Sequence, residues 1–122
     1  MTKILDIQQS IIAANGNVSL AKELFTMLLD DLSVRQQQIE SSFQTGNIDT
    51  LVEHVHKLYG ATAYCIVPKL RKNTEILEDR LRQKNYSHLE KFVNRVLKEI
   101  QEIIRNGPDF IKKNWLDFHI KE

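Results

Sequence analysis

Long stretches of this chain lack glycine and proline, and apolar residues recur within them every three or four positions. The 122 residues include only four glycines and two prolines, and these fall together with residues that commonly cap helices. Spacings of three and four place side chains on one face of an α-helix, whereas a strand alternates every second residue. The pattern predicts an all-α chain, and no strand pattern competes with it.

Five helices with short connections are predicted. They cover residues 3–14, 19–45, 49–64, 68–84 and 87–106, with Ser19, Asp49 and a Ser87–Glu90 capping box as three of the start signals. The Asn-Gly-Pro sequence at 106–108 is expected to end the last of them. In the longest helix, the apolar residues expected to face the core are Leu20, Leu24, Leu28, Leu32, Ile39 and Phe43.

Amphipathic helices joined by short loops favour an antiparallel up-and-down four-helix bundle, with the N-terminal helix packed across one end. Residues 1–107 are predicted to form this bundle as one domain. Residues 108–122 are expected to be either a tail or a short docked helix. With 122 residues, of which 42% are hydrophobic, the chain is long enough to form one hydrophobic core but not two.

Composition and charge exclude several classes of partner. The formal net charge is +1, so there is no large field of one sign that would bind nucleic acid or a membrane surface. The basic sequence Lys-Leu-Arg-Lys at 69–72 is better explained as a solvated helix face. One cysteine precludes an internal disulfide, and no apolar run approaches the roughly 20 residues of a membrane span. We therefore expect a cytoplasmic protein.

The predicted helix over 49–64 carries two histidines and an internal glycine. At about 100° per residue, the inward-facing side chains include Leu51 and Leu58, while Lys57 and Gly60 fall on the outer face. His56 lies between the outer face and the apolar stripe. We therefore expect its ring to be anchored at the base and open at the tip.

Gly60 lies one helical turn beyond His56 on nearly the same side. Glycine within a helix costs roughly 0.5–1 kcal/mol relative to alanine. A missing side chain at this position clears space beside the imidazole, so a large or charged group could reach the ring. The alternative is that Gly60 permits close approach of a neighbouring helix.

A metal site is not expected in this chain. His54 lies about 160° away from His56 around the helix, so the two rings cannot share one ion. His88 and His119 have no ligand spacing either. No cofactor is expected in the chain itself.

The sequence HVHKLYGATAY at 54–64 resembles the motif of histidine-containing phosphotransfer (HPt) domains. In that motif a phospho-accepting histidine is followed by a basic residue, an aliphatic residue, usually a second basic residue, and then glycine and small residues. The resemblance covers about residues 4–106 and is to the HPt module that ends tripartite hybrid sensor kinases. Tyr59 departs from it where a second lysine is common, and Ile66 departs where many members have glycine.

The resemblance implies that His56 is the phospho-accepting nucleophile and that Lys57 stabilises the charge of the phosphoryl group. An ordinary histidine is mostly neutral at cytosolic pH and needs no base to activate it. A carboxylate on the facing helix, Glu78 or alternatively Glu75, could accept a hydrogen bond from the inner ring nitrogen, so that the outer nitrogen attacks.

The expected partners are the receiver domains of a hybrid sensor kinase and of a response regulator, and the domain is expected to be a monomer. Mg²⁺ is expected on the receiver. The sequence lacks a glycine-rich phosphate loop and the nucleotide-binding boxes of a histidine kinase, so the chain is predicted to be a phosphotransfer module without an ATP site. Its parent would be a hybrid sensor kinase anchored in a membrane. The alternative function is a helical adaptor that binds partner proteins without being phosphorylated.

Overall fold

The computed structural model describes residues 9, 10, 12, 14–63 and 67–110, without the side chains of residues 109 and 110. Its four helices are α1 (Val18–Gln44), α2 (Ile48–Ala61), α3 (Pro68–Arg82) and α4 (Leu89–Phe110). They confirm the all-α class and the last four predicted helices. Most of the predicted helix over residues 3–14, and its packing across one end, lie outside the described residues.

The four helices contact one another in a closed ring. α1 packs against α2 and α4, and α3 packs against the same two helices. Only residues 45–47 separate α1 from α2, so the two must reverse direction to pack side by side. This ring is the contact pattern expected of a four-helix bundle. None of the helices in the described part combines the length and apolar character needed to cross a membrane.

The core is formed by apolar side chains that every helix directs into the ring. The largest of the fully buried side chains are Phe25, Leu32, Ile39, Leu51, Val55, Leu58, Leu70, Leu77, Ile100 and Ile103. Full burial of one such side chain contributes about 1.5–3 kcal/mol. Because α2 and α3 both bury an inner face, their outer faces are fixed relative to each other.

One end of the apolar stripe predicted for α1 is wrong. Leu20 is 39% exposed, whereas Val18, Ala21 and Phe25 are buried. Steps of four residues overshoot a full turn by about 40°, so a series of such steps from Leu32 back to Leu20 drifts away from the core. The buried residues alternate steps of three and four and therefore stay on one face.

Asparagines rather than Ser19 and Asp49 cap α1 and α2. The side-chain oxygen of Asn17 accepts a hydrogen bond from the Leu20 amide at 2.9 Å, and that of Asn47 accepts one from the Thr50 amide at 3.2 Å. Both predicted caps were placed two residues too late. The preceding glycines have left-handed backbones, with φ of 79° at 16 and 71° at 46, a conformation that glycine adopts without strain.

The signals predicted for both ends of α4 are also wrong. The helix begins at Leu89 after His88, whose φ is 57°, and no described hydrogen bond joins the side chains and amides of Ser87 and Glu90 into a capping box. At the other end the helix continues through Gly107 and Pro108 to Phe110. The predicted boundary between residues 107 and 108 thus falls inside a helix.

Gly107 has a packing role instead. A Cβ atom at this position would lie 2.6 Å from Cδ2 of Leu29, which is on α1. The glycine therefore lets α4 approach α1 closely. The helix continues through this local stop signal while Gly107 packs against α1.

Candidate functional site

His56 lies on the outer side of α2 and is held by a carboxylate on α3. Its side chain is 73% exposed, and its Nδ1 atom lies 2.9 Å from Oε1 of Glu78, whose side chain is only 9% exposed. When Glu78 is ionised it can only accept, and in that state the hydrogen bond places the proton on Nδ1 of His56. The neutral ring then has its lone pair on Nε2, the nitrogen left free by this contact. The predicted anchored base and open tip are both observed.

Glu78 rather than Glu75 makes this contact. Glu75 is exposed and has no described contact with His56. Both carboxylates line a surface pocket of about 240 Å³ together with Tyr59, Asp79 and Arg82. The sequence predicts that both carboxylates lie on the helix facing His56. The axial register between α2 and α3 determines which of the two reaches the ring.

Arg82 shares the oxygen atom that holds His56. Its Nη2 atom donates to Oε1 of Glu78 at 2.8 Å, and Nη1 lies 3.7 Å from Oδ1 of Asp79. The other oxygen of Glu78, Oε2, is buried and has no hydrogen-bond partner among the described residues. Arg82 was not among the predicted site residues, although its spacing of four residues from Glu78 is typical of an ion pair on a helix.

Lys57 is exposed, as predicted, and pairs with a neighbour on its own helix. Its Nζ atom lies 3.0 Å from Oε1 of Glu53, and both side chains are more than half exposed. The hydrogen bond and the charge of Lys57 hold the pKa of the Glu53 carboxyl below its usual value. An exposed pair of this kind contributes little stability. The ammonium group can therefore leave Glu53 for a stronger anion.

Gly60 faces open space one turn beyond His56. The residue is exposed, and a Cβ atom built on it would meet no atom of the described residues within 4 Å. The predicted outward position is confirmed. Among the described residues, no neighbouring helix approaches closely at this glycine, which contradicts the alternative for that part of the chain.

Tyr59 ties α2 to α3 through an arginine that the sequence analysis did not identify. Arg71 donates to the Tyr59 hydroxyl at 3.1 Å and to Oγ1 of Thr62 at 3.0 Å. Its guanidinium also stands 4.4 Å from the centre of the tyrosine ring. The residue that replaces the family's second lysine is thus a structural contact between the two helices of the site.

The other described histidines do not join the site. His54 is half-buried, and its Nδ1 atom is buried without a partner in the described part of the chain. Among the described residues, no group of three or more histidine, cysteine, aspartate or glutamate side chains could hold a metal ion. His119 lies outside the described residues.

Comparison with known proteins identifies the class to which this bundle and site belong. A model of the Hpt domain family matches residues 23–106, from within α1 to near the end of α4. The chain belongs to the Hpt domain family. It is therefore a histidine phosphotransfer module of phosphorelay signalling, a class without the ATP site of a kinase.

The individual relatives are much longer proteins. The chain is 34% identical over 97 residues to the sensor protein GacS of Pseudomonas syringae pv. syringae, which covers 80% of the chain and 11% of that protein. It is 30% identical over 108 residues to the signal transduction histidine-protein kinase BarA of Escherichia coli K12, covering 88% of the chain and 12% of BarA. The chain thus spans about a tenth of the length of these curated relatives.

A solved structure resembles the whole bundle. The crystal structure of the HPt domain from a sensor hybrid histidine kinase of Shewanella superimposes with a TM-score of 0.83 at 25% identity. The match covers 90% of this chain and 95% of the other.

Proposed function

We propose that His56 accepts a phosphoryl group from an aspartyl phosphate on one receiver domain and passes it to an aspartate on another. The observation that carries this proposal is the exposed imidazole whose Nδ1 atom is held by buried Glu78. That contact leaves the lone pair on Nε2 and directs it away from the bundle.

The transfer balances without a catalytic base. The Nε2 lone pair attacks phosphorus, the bond between phosphorus and the aspartate oxygen breaks, and the aspartate carboxylate leaves with the bonding pair. The proton on Nδ1 stays in place, so positive charge develops on the ring as the new N–P bond forms. Glu78 is positioned to stabilise that charge, since a preorganised carboxylate needs no rearrangement during the reaction. The reverse sequence discharges the phosphohistidine to the second aspartate.

Lys57 and Gly60 complete the proposed site. Lys57 follows His56 in the chain and would turn from Glu53 to the phosphoryl oxygens, which carry more negative charge than a carboxylate. A Cβ atom at Gly60 would meet none of the described residues within 4 Å, so the missing side chain would give a receiver room to approach the ring. Mg²⁺ for the transfer would be supplied by the receiver domain.

The relatives define the proposed setting. Because the relatives are a sensor protein and a histidine-protein kinase, we propose that this chain is a phosphotransfer module of a hybrid sensor kinase. We also propose that it is monomeric and cytoplasmic. Its partners would be the receiver domain of that kinase and a response regulator.

The direct test is transfer of label from phosphorylated receivers. Receiver domains from the organism that encodes the chain are first phosphorylated with radiolabelled acetyl phosphate, and the remaining acetyl phosphate is removed. Each phosphorylated receiver is then mixed with the 122-residue chain. We expect one acid-labile, alkali-stable phosphoryl group on the chain, and none from ATP alone. His56→Gln should abolish the labelling, while the matched control His54→Gln should retain it.

Two outcomes would contradict the proposal. Labelling that survives His56→Gln would show that another residue is the acceptor. Binding of receivers without any labelling of the parent chain would support the adaptor alternative instead.

A further inference from the structure

A single carboxylate oxygen links the nucleophile to a cation. Oε1 of Glu78 lies 2.9 Å from Nδ1 of His56 and 2.8 Å from Nη2 of Arg82. The glutamate side chain is 9% exposed, whereas the arginine side chain is 68% exposed. A buried anion thus stands between an exposed imidazole and an exposed guanidinium.

The negative charge of buried Glu78 cannot be balanced by His56 if His56 is the nucleophile. A nucleophilic imidazole must be neutral, so it donates a hydrogen bond to Glu78 but does not balance its negative charge. A buried carboxylate without a cation is strongly destabilised, particularly with one oxygen unpaired. Oε2 of Glu78 is such an oxygen.

We propose that Arg82 is a positioning residue that keeps the nucleophilic nitrogen of His56 free of a proton by balancing the charge of Glu78. This inference rests on the proposed role of His56 as phosphoryl acceptor. Arg82 acts through Glu78: it binds the carboxylate that faces Nδ1, while the phosphoryl group is added at Nε2 on the other side of the ring.

Loss of the guanidinium leaves two ways to neutralise Glu78, and both block the nucleophile. In the first, the imidazole takes up a second proton, which goes to Nε2. In the second, the carboxyl takes up the proton and donates it to Nδ1, which shifts the ring to the tautomer with hydrogen on Nε2. Either way Nε2 loses its lone pair. With Arg82 present, Glu78 stays ionised and His56 stays neutral with its proton on Nδ1, so the lone pair remains on Nε2.

The test observes the proton directly on the unphosphorylated chain. Two-bond ¹⁵N–¹H spectra at neutral pH report which ring nitrogen of His56 is protonated, and His56→Gln assigns the signals. Arg82→Gln is expected to move protonation to Nε2, and Arg82→Met is a second neutral variant should the first not fold. Arg82→Lys, which restores a cation four residues from Glu78, should retain the parental pattern. Arg95→Gln removes the same charge from an exposed site on α4 and is the matched control.

Single-turnover transfer from a phosphorylated receiver provides the second measurement. Arg82→Gln should slow transfer about tenfold, the effect of losing one hydrogen bond to a charged group, and Arg82→Lys should recover most of the rate. A parental ¹⁵N pattern in both neutral variants would overturn the inference, even if transfer slows. A shifted pattern in a chain whose parent accepts no phosphoryl group would overturn the proposed function alone.

Discussion

The two charged side chains nearest His56 differ in how firmly the fold holds them. Glu78 is buried, comes from a different helix and has two partners on one oxygen. Lys57 is exposed, and its one ion pair among the described residues is with Glu53 on its own helix. A group that must fix the ring benefits from rigidity, whereas a group that must follow a phosphoryl group from donor to acceptor benefits from freedom. The structure provides one of each.

Lys57→Ala is expected to slow phosphotransfer without unfolding the bundle. Removal of one charge beside the developing phosphoryl charge should cost on the order of 1–3 kcal/mol of transition-state stabilisation. The melting temperature should hardly change, because the exposed pair with Glu53 contributes little. Single-turnover transfer and thermal unfolding check both parts.

Lys72→Ala is the control, since Lys72 is an exposed lysine on α3. If both variants transfer at the parental rate, Lys57 is ordinary surface, and Tyr59 becomes the next residue to test.

Helix signals in this chain are correct about where helices lie and less reliable about where they end. Each predicted cap of α1 and α2 had a competing asparagine two residues earlier, and the sequence contains no local reason to prefer one. The Asn-Gly-Pro sequence at 106–108 is a strong stop signal, yet α4 continues through it to Phe110, and Gly107 packs closely against Leu29 there. Helix ends depend on contacts between elements, which periodicity does not describe.

The cap of α1 gives a direct test at this scale. Asn17→Ala should lower the free energy of unfolding by about 1 kcal/mol, because it removes the acceptor for the Leu20 amide. Ser19→Ala should leave it within about 0.5 kcal/mol of the parent, as expected for an exposed position. Urea denaturation measures both. Equal losses would mean that the side chain of Asn17 does not cap the helix.

Substitutions of Gly60 are expected to affect the stability of the bundle and the rate of phosphotransfer in different ways. Gly60→Ala should stabilise the bundle by roughly 0.5–1 kcal/mol, because the new methyl group meets open space and the helix gains propensity. Gly60→Leu should also fold, but its side chain should obstruct the receiver and suppress phosphotransfer. Urea denaturation and single-turnover kinetics are the two measurements.

Gly107→Ala is the contrasting variant. Its methyl group would meet Cδ2 of Leu29, so the change should be less favourable than Gly60→Ala by roughly 1 kcal/mol. A Gly60→Leu variant that transfers at the parental rate would show that the glycine does not keep the approach to His56 open.

At the scale of the whole molecule, the predictable features are those that one helix determines by itself. The outward positions of His56, Lys57 and Gly60 follow from about 100° of rotation per residue, and the four helices follow from their apolar stripes. The choice of Glu78 over Glu75 depends on the register between α2 and α3. Arg82 reaches the site only through Glu78, and such chains of contacts arise when helices pack together.

The outward placement of one histidine also determines the order in which receiver domains can bind to the module. On the proposed function, donor and acceptor receivers must use the same ring, so they cannot occupy it together. Transfer of each phosphoryl group then requires the donor receiver to bind and dissociate before the acceptor receiver binds. A donor receiver that dissociates slowly after it has lost its phosphoryl group delays binding of the acceptor. Excess unphosphorylated donor receiver should therefore act as a competitive inhibitor of discharge, and the flux through the module should be greatest when both partners bind briefly.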